Sequence, residues 1–285
     1  MAALSGRSAR SRAGLILVEG PQAVRELLAH RAEFVRDVYF GESAAKRYPE
    51  LVEAARRATR FVHLATDGVA AVMSGDAQGV IAVADVAAVR SALETDAPQL
   101  VVVLAEAQDP GNVGTIIRLA DACGAQAIYV AKGGADVTSP KVIRASVGSV
   151  FHLPVISGLE YGAVLDSVRQ HGLQVLAAHG YGQVSLEELM ERAVIAHSGV
   201  GAAAPEVGSA GAGAGGNVGH QELPELGSPT AWVFGNEARG LSPAQLESCD
   251  AQVKIALRGH AESFNVAGAA AILLHASAMA QRPGQ

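Results

Sequence analysis

Three segments hold residues whose types and spacing could do chemistry. The first runs from Asp109 through Pro110, Gly111, Asn112 and Gly114 to Arg118. It follows a buried apolar strand, and its Pro/Gly turn leads into a helix predicted over 112–122. Asn112 therefore stands near a helix N-terminus, where free backbone N–H groups favour anions. Arg118 comes six residues later, almost two turns, and is expected close to the same face. In isolation a capping Asn112 and a solvated Arg118 account for the segment as well. The second segment runs from Phe234 to Ser242. A strand enters Gly235 directly, and Gly235 and Gly240 allow tight backbone geometry and close ligand approach. Asn236 lies between them, and Glu237 lies at the carboxyl end of a strand, where open α/β sheets place ligands. A capping Asn236 and an outward Glu237 are the plainer alternative. The third segment runs from Ile255 through Leu257, Gly259, Ser263, Asn265 and Val266 to Ile272. A strand predicted from Val253 to Leu257 passes through a glycine loop to Ser263 and Asn265, both ordinary N-cap residues. The small residues Ala267–Ala271 permit a close contact, either across a dimer or within one chain.

The elements that position these segments alternate in type. Residues 15–84 read as a small α/β domain with strands at 15–19, 34–40, 61–64 and 79–84. Helices are predicted from Pro21, over 44–58, and from a capping Asp67 to Met73. From Leu100 the pattern becomes buried strands and helices at the spacing of a parallel sheet. Strands are expected at 100–105, 127–130, 150–155 and 173–178, with helices over 160–170 and 262–280. Ser139-Pro140 reads as an N-cap followed by Pro at the first helical position. This divides the chain into a basic, mobile tail (1–12), an N-terminal domain (13–86), a linker (87–98) and a C-terminal domain (99–282). Residues 198–228 are rich in Gly, Ala and Ser and are expected to be a flexible insertion. They contain Gly211–Gly216, a literal GxGxxG. That motif needs a strand before it and a helix after it, and neither is predicted, so a nicotinamide-binding oxidoreductase is disfavoured.

Composition sets outer bounds. The chain has 285 residues, 49% apolar and 18% charged, which is globular composition. Apolar runs stay below the ~18 residues needed to span a bilayer, and the N-terminus lacks the pattern of a secretory signal. A cytoplasmic protein without membrane association is expected. The net charge of −6 is unevenly spread. Residues 1–95 hold 12 Lys+Arg against 11 Asp+Glu, and the remainder holds 10 against 17. Local basic clusters therefore leave nucleic-acid binding open. Two cysteines, Cys123 and Cys249, and nine scattered histidines suggest no metal-ligand cluster.

Taken together, the three segments resemble the SpoU (TrmH-like) family of RNA ribose 2′-O-methyltransferases, of the SPOUT class. The family's first motif, Asn/Asp-Pro-x-Asn-x-Gly-x-x-x-Arg, is matched throughout by 109–118. Gly235, Glu237, Gly240 and Leu241 match its second. Ile255, Gly259, Ser263, Asn265 and Val266 match its third, from which Ala256, Leu257 and Phe264 depart. Residues 12–85 more loosely resemble the family's RNA-binding domain, which is similar to ribosomal proteins of the L30e type.

The resemblance implies an α/β fold with a deep trefoil knot in its parallel-sheet domain, and a homodimer formed through helices around that knot. It implies S-adenosylmethionine as cofactor, held by Gly235, Asn236, Gly240, Ile255, Leu257, Gly259, Ser263, Asn265 and Val266. No metal is implied. RNA, ribosomal RNA above all, would be the substrate, methylated at a ribose 2′-hydroxyl. Arg118 would be the key catalytic residue. A free guanidinium keeps its proton in water, so a phosphate clamp that orients the hydroxyl, assisted by Asn112, is the expected role. Glu237 would hold the second-motif loop, while Ser263 and Asn265 would order the cofactor loop and the nucleophile. The alternative is a catalytically silent RNA-binding or ribosome-assembly protein on the same fold.

Overall fold

The computed structural model describes residues 2–198 and 223–281. The N-terminal sheet contains β1 (Leu15–Glu19), β2 (Val35–Gly41), β3 (Val62–Ala65) and β4 (Val80–Asp85), in the order β1-β4-β2-β3. Strand β4 is antiparallel to β1 and β2, while β2 and β3 are parallel. Helix α1 (Arg7–Ala13) precedes β1, and α2 (Pro21–His30) follows it. The helix expected over 44–58 is two helices, α3 (Glu42–Arg47) and α4 (Pro49–Ala58). Proline disfavours helical geometry in the residue before it and has no N–H to give. Tyr48 accordingly leaves the helical region at φ −126°, ψ 59°. Helix α5 (Asp67–Met73) is capped by Thr66 rather than Asp67, whose carboxylate accepts from the Ser43 N–H and hydroxyl instead.

The basic segment expected as a tail contains helix α1 and is tied to the C-terminal domain. Arg10 lies inside α1, only 4% exposed, where it donates to the Leu4 and Ser5 carbonyls and pairs with Asp136 at 2.5 Å. A second bridge between the two parts of the chain joins Arg144 to Glu19 at 2.6 Å. The stretch expected as a linker is partly buried too: Ala88 and Val89 enter the core, and the Arg90 carbonyl accepts from the Val155 N–H.

The C-terminal sheet, among the described residues, has seven strands, all paired in parallel. They are β5 (Leu100–Leu104), β6 (Ala127–Val130), β7 (Val155–Ser157), β8 (Gln174–Ala178), β9 (Val184–Ser185), β10 (Thr230–Phe234) and β11 (Ala251–Lys254), in the order β7-β6-β5-β10-β8-β11-β9. Helices α6 (Pro110–Ala122), α7 (Pro140–Ala145), α8 (Tyr161–Gln170), α9 (Leu186–Ser198), α10 (Pro243–Glu247) and α11 (Val266–Ala280) connect or cover them. Strands β5 and β10 are buried on both faces, as the centre of a parallel sheet requires. Leu100, Val102 and Leu104 pack into the core on one side with Ile116 and Leu273, while Val101 and Val103 meet Val164 and Leu165 on the other. Trp232 is fully buried, and its indole N–H donates to the equally buried Ser277 hydroxyl at 2.8 Å.

Three predicted boundaries move. Ser149–Phe151 forms a 3-10 turn, because Val147 and Gly148 have positive φ and break the chain direction, so β7 starts only at Val155. Strand β11 ends at Lys254 rather than Leu257, and α11 starts at Val266 because Asn265 caps it. Of the expected insertion, 199–222 lie outside the described residues, and with them the GxGxxG match. Residues 223–228 are described: Leu226 is 1% exposed within the core, and Gln174 Nε2 donates to the Glu225 carbonyl. Among the described residues, no helix is long and apolar enough to cross a membrane.

Candidate active site

The three segments meet at the carboxyl ends of β5, β10 and β11. Asp109, not Asn112, caps α6: its Oδ1 accepts from the Asn112 N–H at 2.8 Å. The Asn112 side chain is thereby left for another partner, and its Oδ1 accepts from Asn265 Nδ2 at 3.4 Å. Asn265 at the same time caps α11, its own Oδ1 accepting from the Ala267 N–H at 2.9 Å. One asparagine thus ends the third segment's loop, starts its helix and touches the first segment.

Glu237 ties the second segment to the first. Its carboxylate accepts from the Asp109 N–H at 3.1 Å and the Gln108 N–H at 3.4 Å, so it is not merely an outward surface charge. The loop carrying it is closed on itself. The Asn236 N–H donates to the Gly240 carbonyl and the Gly240 N–H to the Asn236 carbonyl, at 3.0 and 2.9 Å. Asn236 Oδ1 takes the Ala238 and Arg239 N–H groups, and its Nδ2 donates to the Glu106 carbonyl. Two glycines make this closure possible. A Cβ on Gly235 would stand 2.3 Å from the Gly240 carbonyl carbon, and Gly240 has φ +66°.

Arg118 is exposed on α6, and among the described residues none pairs with it. It lies less squarely below Asn112 than the spacing suggested. Six residues at about 100° each fall about 120° short of two turns, so Arg118 lines up with Gly111 and Thr115 on the exposed stripe. Gly114, also in this segment, sets the depth of the helix. A Cβ there would lie 2.5 Å from Ala145 Cβ and 2.7 Å from the Val142 carbonyl, so its absence lets α6 pack directly on α7.

Beside these contacts a cavity of about 340 Å³ opens at the ends of β8, β10 and β11. Gly235, Asn236, Glu237, Gly240, Ile255, Leu257, Ser263 and Val266 line it. Leu257 and Phe264, 40% and 42% exposed, give it an apolar wall. Gly259 and Asn265 do not line it, nor do Asn112 and Arg118 of α6. Ser263 lies in the exposed loop before α11 and does not cap that helix. His179, Gly180 and Tyr181, which follow β8 and belong to none of the three segments, line the same cavity. Their signal was available, since they form a glycine turn at the carboxyl end of a parallel strand. The loop is pressed onto β11: a Cβ on Gly182 would meet the Gln252 carbonyl oxygen at 2.5 Å. A second cavity of about 420 Å³ lies among Gln183, Leu223, Leu246 and Cys249. It contains none of the motif residues, so the smaller cavity is the better candidate for chemistry. Cys123 and Cys249 are free thiols, and burial pushes both above the ordinary cysteine value, which makes them weak nucleophiles.

Comparison with known proteins agrees with this geometry. A family model described as the SpoU rRNA methylase family matches residues 99–275, and one described as RNA 2′-O ribose methyltransferase substrate binding matches 17–87. The chain is 35% identical over 168 residues to 23S rRNA (guanosine(2553)-2′-O)-methyltransferase RlmP of Bacillus subtilis, covering 59% of this chain and 53% of that protein. It thus spans about half the length of that curated relative. It is 25% identical over 266 residues to 23S rRNA (guanosine-2′-O-)-methyltransferase RlmB of Pseudomonas putida, covering 90% and 93%. Among solved structures, the SpoU methyltransferase AviRb of Streptomyces viridochromogenes, in complex with the cofactor AdoMet, superposes with a TM-score of 0.72 at 27% identity, covering 98% and 95%. With its three motifs brought together on one parallel sheet and a family model matching well over half its length, the chain belongs to the SpoU rRNA methylase family.

Proposed function

We propose that this protein transfers a methyl group from S-adenosylmethionine to a ribose 2′-hydroxyl of RNA, ribosomal RNA above all. The observation that carries this reading is the tie between the motifs. Glu237 holds the backbone of Gln108 and Asp109, and Asn265 reaches Asn112, so the cavity and the entry to α6 form one unit. The similarity to the two 23S rRNA methyltransferases and to the AdoMet-bound structure supports the reaction and the cofactor.

The residues of the cavity fit that cofactor. Leu257 and Phe264 offer an apolar slot for a purine, and Gly180, Gly235 and Gly240 present backbone without side chains for polar groups. When bound, S-adenosylmethionine supplies a methyl group activated on a sulfonium. The chain's own contribution is placement. Asn236 and the glycines shape the second-motif loop, Glu237 fixes it to α6, and Asn265 sets the third-motif loop against Asn112. Arg118, exposed and without a partner among the described residues, is available for a phosphate of the RNA, and a guanidinium suits that geometry through its planar fork. Holding the hydroxyl in line with the methyl then lowers the barrier by pre-paid orientation.

The same proposal includes the trefoil knot, supported by the strand order that puts β10 between β5 and β8 and β11 between β8 and β9, and an L30e-like N-terminal domain, supported by the β1-β4-β2-β3 sheet and its helices. It includes a homodimer, supported by the exposed Ile272 and Met279 on α11. The test is methyl transfer from radiolabelled cofactor to unmodified ribosomal RNA, with the product nucleotide mapped. RNA binding without cofactor binding would point to the silent ribosome-assembly protein instead.

A further inference from the structure

The histidines do not stay scattered. Glu26 and His30 stand one turn apart on α2, and His152, which follows the 3-10 turn 149–151, faces them from the C-terminal domain. One potential ligand atom from each lies within 4.8 Å of the other two. Glu26 Oε2 is 3.3 Å from His152 Nε2 and 3.6 Å from His30 Nε2. Ligand atoms about 2.0–2.1 Å from a tetrahedral zinc stand about 3.3–3.5 Å apart. Two edges of such a site are therefore already formed. Only the edge between the imidazoles must close, by rotation of His30, whose side chain is 46% exposed.

The surroundings are those of a metal site as well. Asp121 Oδ2 lies 2.7 Å from His152 Nδ1, the outer carboxylate that commonly orients a ligating histidine. Gln22 Nε2 donates to Glu26 Oε1 at 2.5 Å, leaving Oε2 as the ligand oxygen. With Nδ1–H turned to Asp121, a neutral His152 presents its Nε2 lone pair to Glu26 Oε2 across 3.3 Å. A cation between the two joins them: a proton serves His152 and Glu26 alone, whereas a metal ion would satisfy His152, His30 and Glu26 together. The seam is tight at this point: a Cβ on Gly148, at φ +94°, would sit 2.6 Å from Glu26 Cβ.

We propose that Glu26, His30 and His152 bind one divalent transition-metal ion of the zinc class, which clamps the N-terminal domain onto the C-terminal one. The inference is independent of the proposed reaction. The test uses the full chain stripped with a chelator and then titrated with zinc by calorimetry, with cobalt as a spectroscopic probe. The expected result is one zinc per chain, a zinc-dependent rise in melting temperature, and visible cobalt bands of tetrahedral intensity. His30→Ala should weaken zinc binding by more than tenfold and abolish the melting shift, while melting like wild type in chelator. Asp121→Asn should weaken binding about 10–100-fold. If His152→Ala fails to fold, His30→Ala still reads the site, because its side chain is half exposed. Absence of zinc binding, or zinc binding unchanged in His30→Ala, would overturn the proposal.

Discussion

Asn265 Nδ2 donates to Asn112 Oδ1 at 3.4 Å across 153 positions of sequence. Asn265 also caps α11 through its own Oδ1, so one side chain serves two segments at once. Asn265→Ala should cost about 0.5–2 kcal/mol from the lost cap and weaken cofactor binding and turnover together. Asn265→Asp keeps the capping oxygen but places an acceptor against Asn112. It should retain the melting temperature and lose activity, and a variant that keeps both would show the Asn112 contact to be idle.

Arg118→Ala should lower single-turnover methylation by ~10²–10³, the usual loss for one positioned charge. Cofactor affinity by calorimetry should hardly change, since Arg118 does not line the cavity. Arg118→Lys should recover little, because an ammonium lacks the two-point fork. A rate above about a tenth of wild type in Arg118→Ala would return this residue to an ordinary surface charge.

Gly114→Ala should destabilise although alanine is the better helix former by ~1 kcal/mol. The added methyl would meet Ala145 Cβ at 2.5 Å and the Val142 carbonyl at 2.7 Å, and overpacking of this kind costs ~1–3 kcal/mol. Urea denaturation measures it. Equal or greater stability would mean that α6 and α7 can part without cost.

Ser277→Ala removes the acceptor of the buried Trp232 N–H. An orphaned buried donor costs ~1–3 kcal/mol, which denaturant titration resolves. A neutral result would require water to reach the indole inside the core.

Asp136 is held below its ordinary value of 3.8. Burial pushes it up, but hydrogen bonds from the Thr138 hydroxyl, Arg10 and the Thr138 N–H, with the Arg10 charge, outweigh it. A lowered folded value means stability that is fully present above 3.8 and is lost as pH falls through the folded value. Asp136→Asn should therefore melt lower than wild type at neutral pH, with the gap shrinking below pH 3.8. A gap that stays constant into acid would detach Arg10 and Asp136 from the pH dependence.

Local physics made much of this protein readable from its sequence alone. The apolar run Leu100–Leu104 required a strand buried on both faces, and the turn residues of all three segments marked strand-to-helix junctions. Hydrophobic period, proline and capping chemistry act over a few residues, so the α/β class and the motif-bearing loops follow from them. Even there, single residues shifted the outcome: Pro49 split a helix, and Asp109 took the cap from Asn112. Tertiary structure alone decided which distant residues meet. Strand β10 inserts between β5 and β8, and β11 between β8 and β9. That order brings Glu237 to Asp109, Asn265 to Asn112, and His179 and Tyr181 to the cavity. The packing of the N-terminal domain likewise buries Arg10 and gathers Glu26, His30 and His152. Such pairings depend on the summed burial of whole strands and helices, which no local pattern encodes.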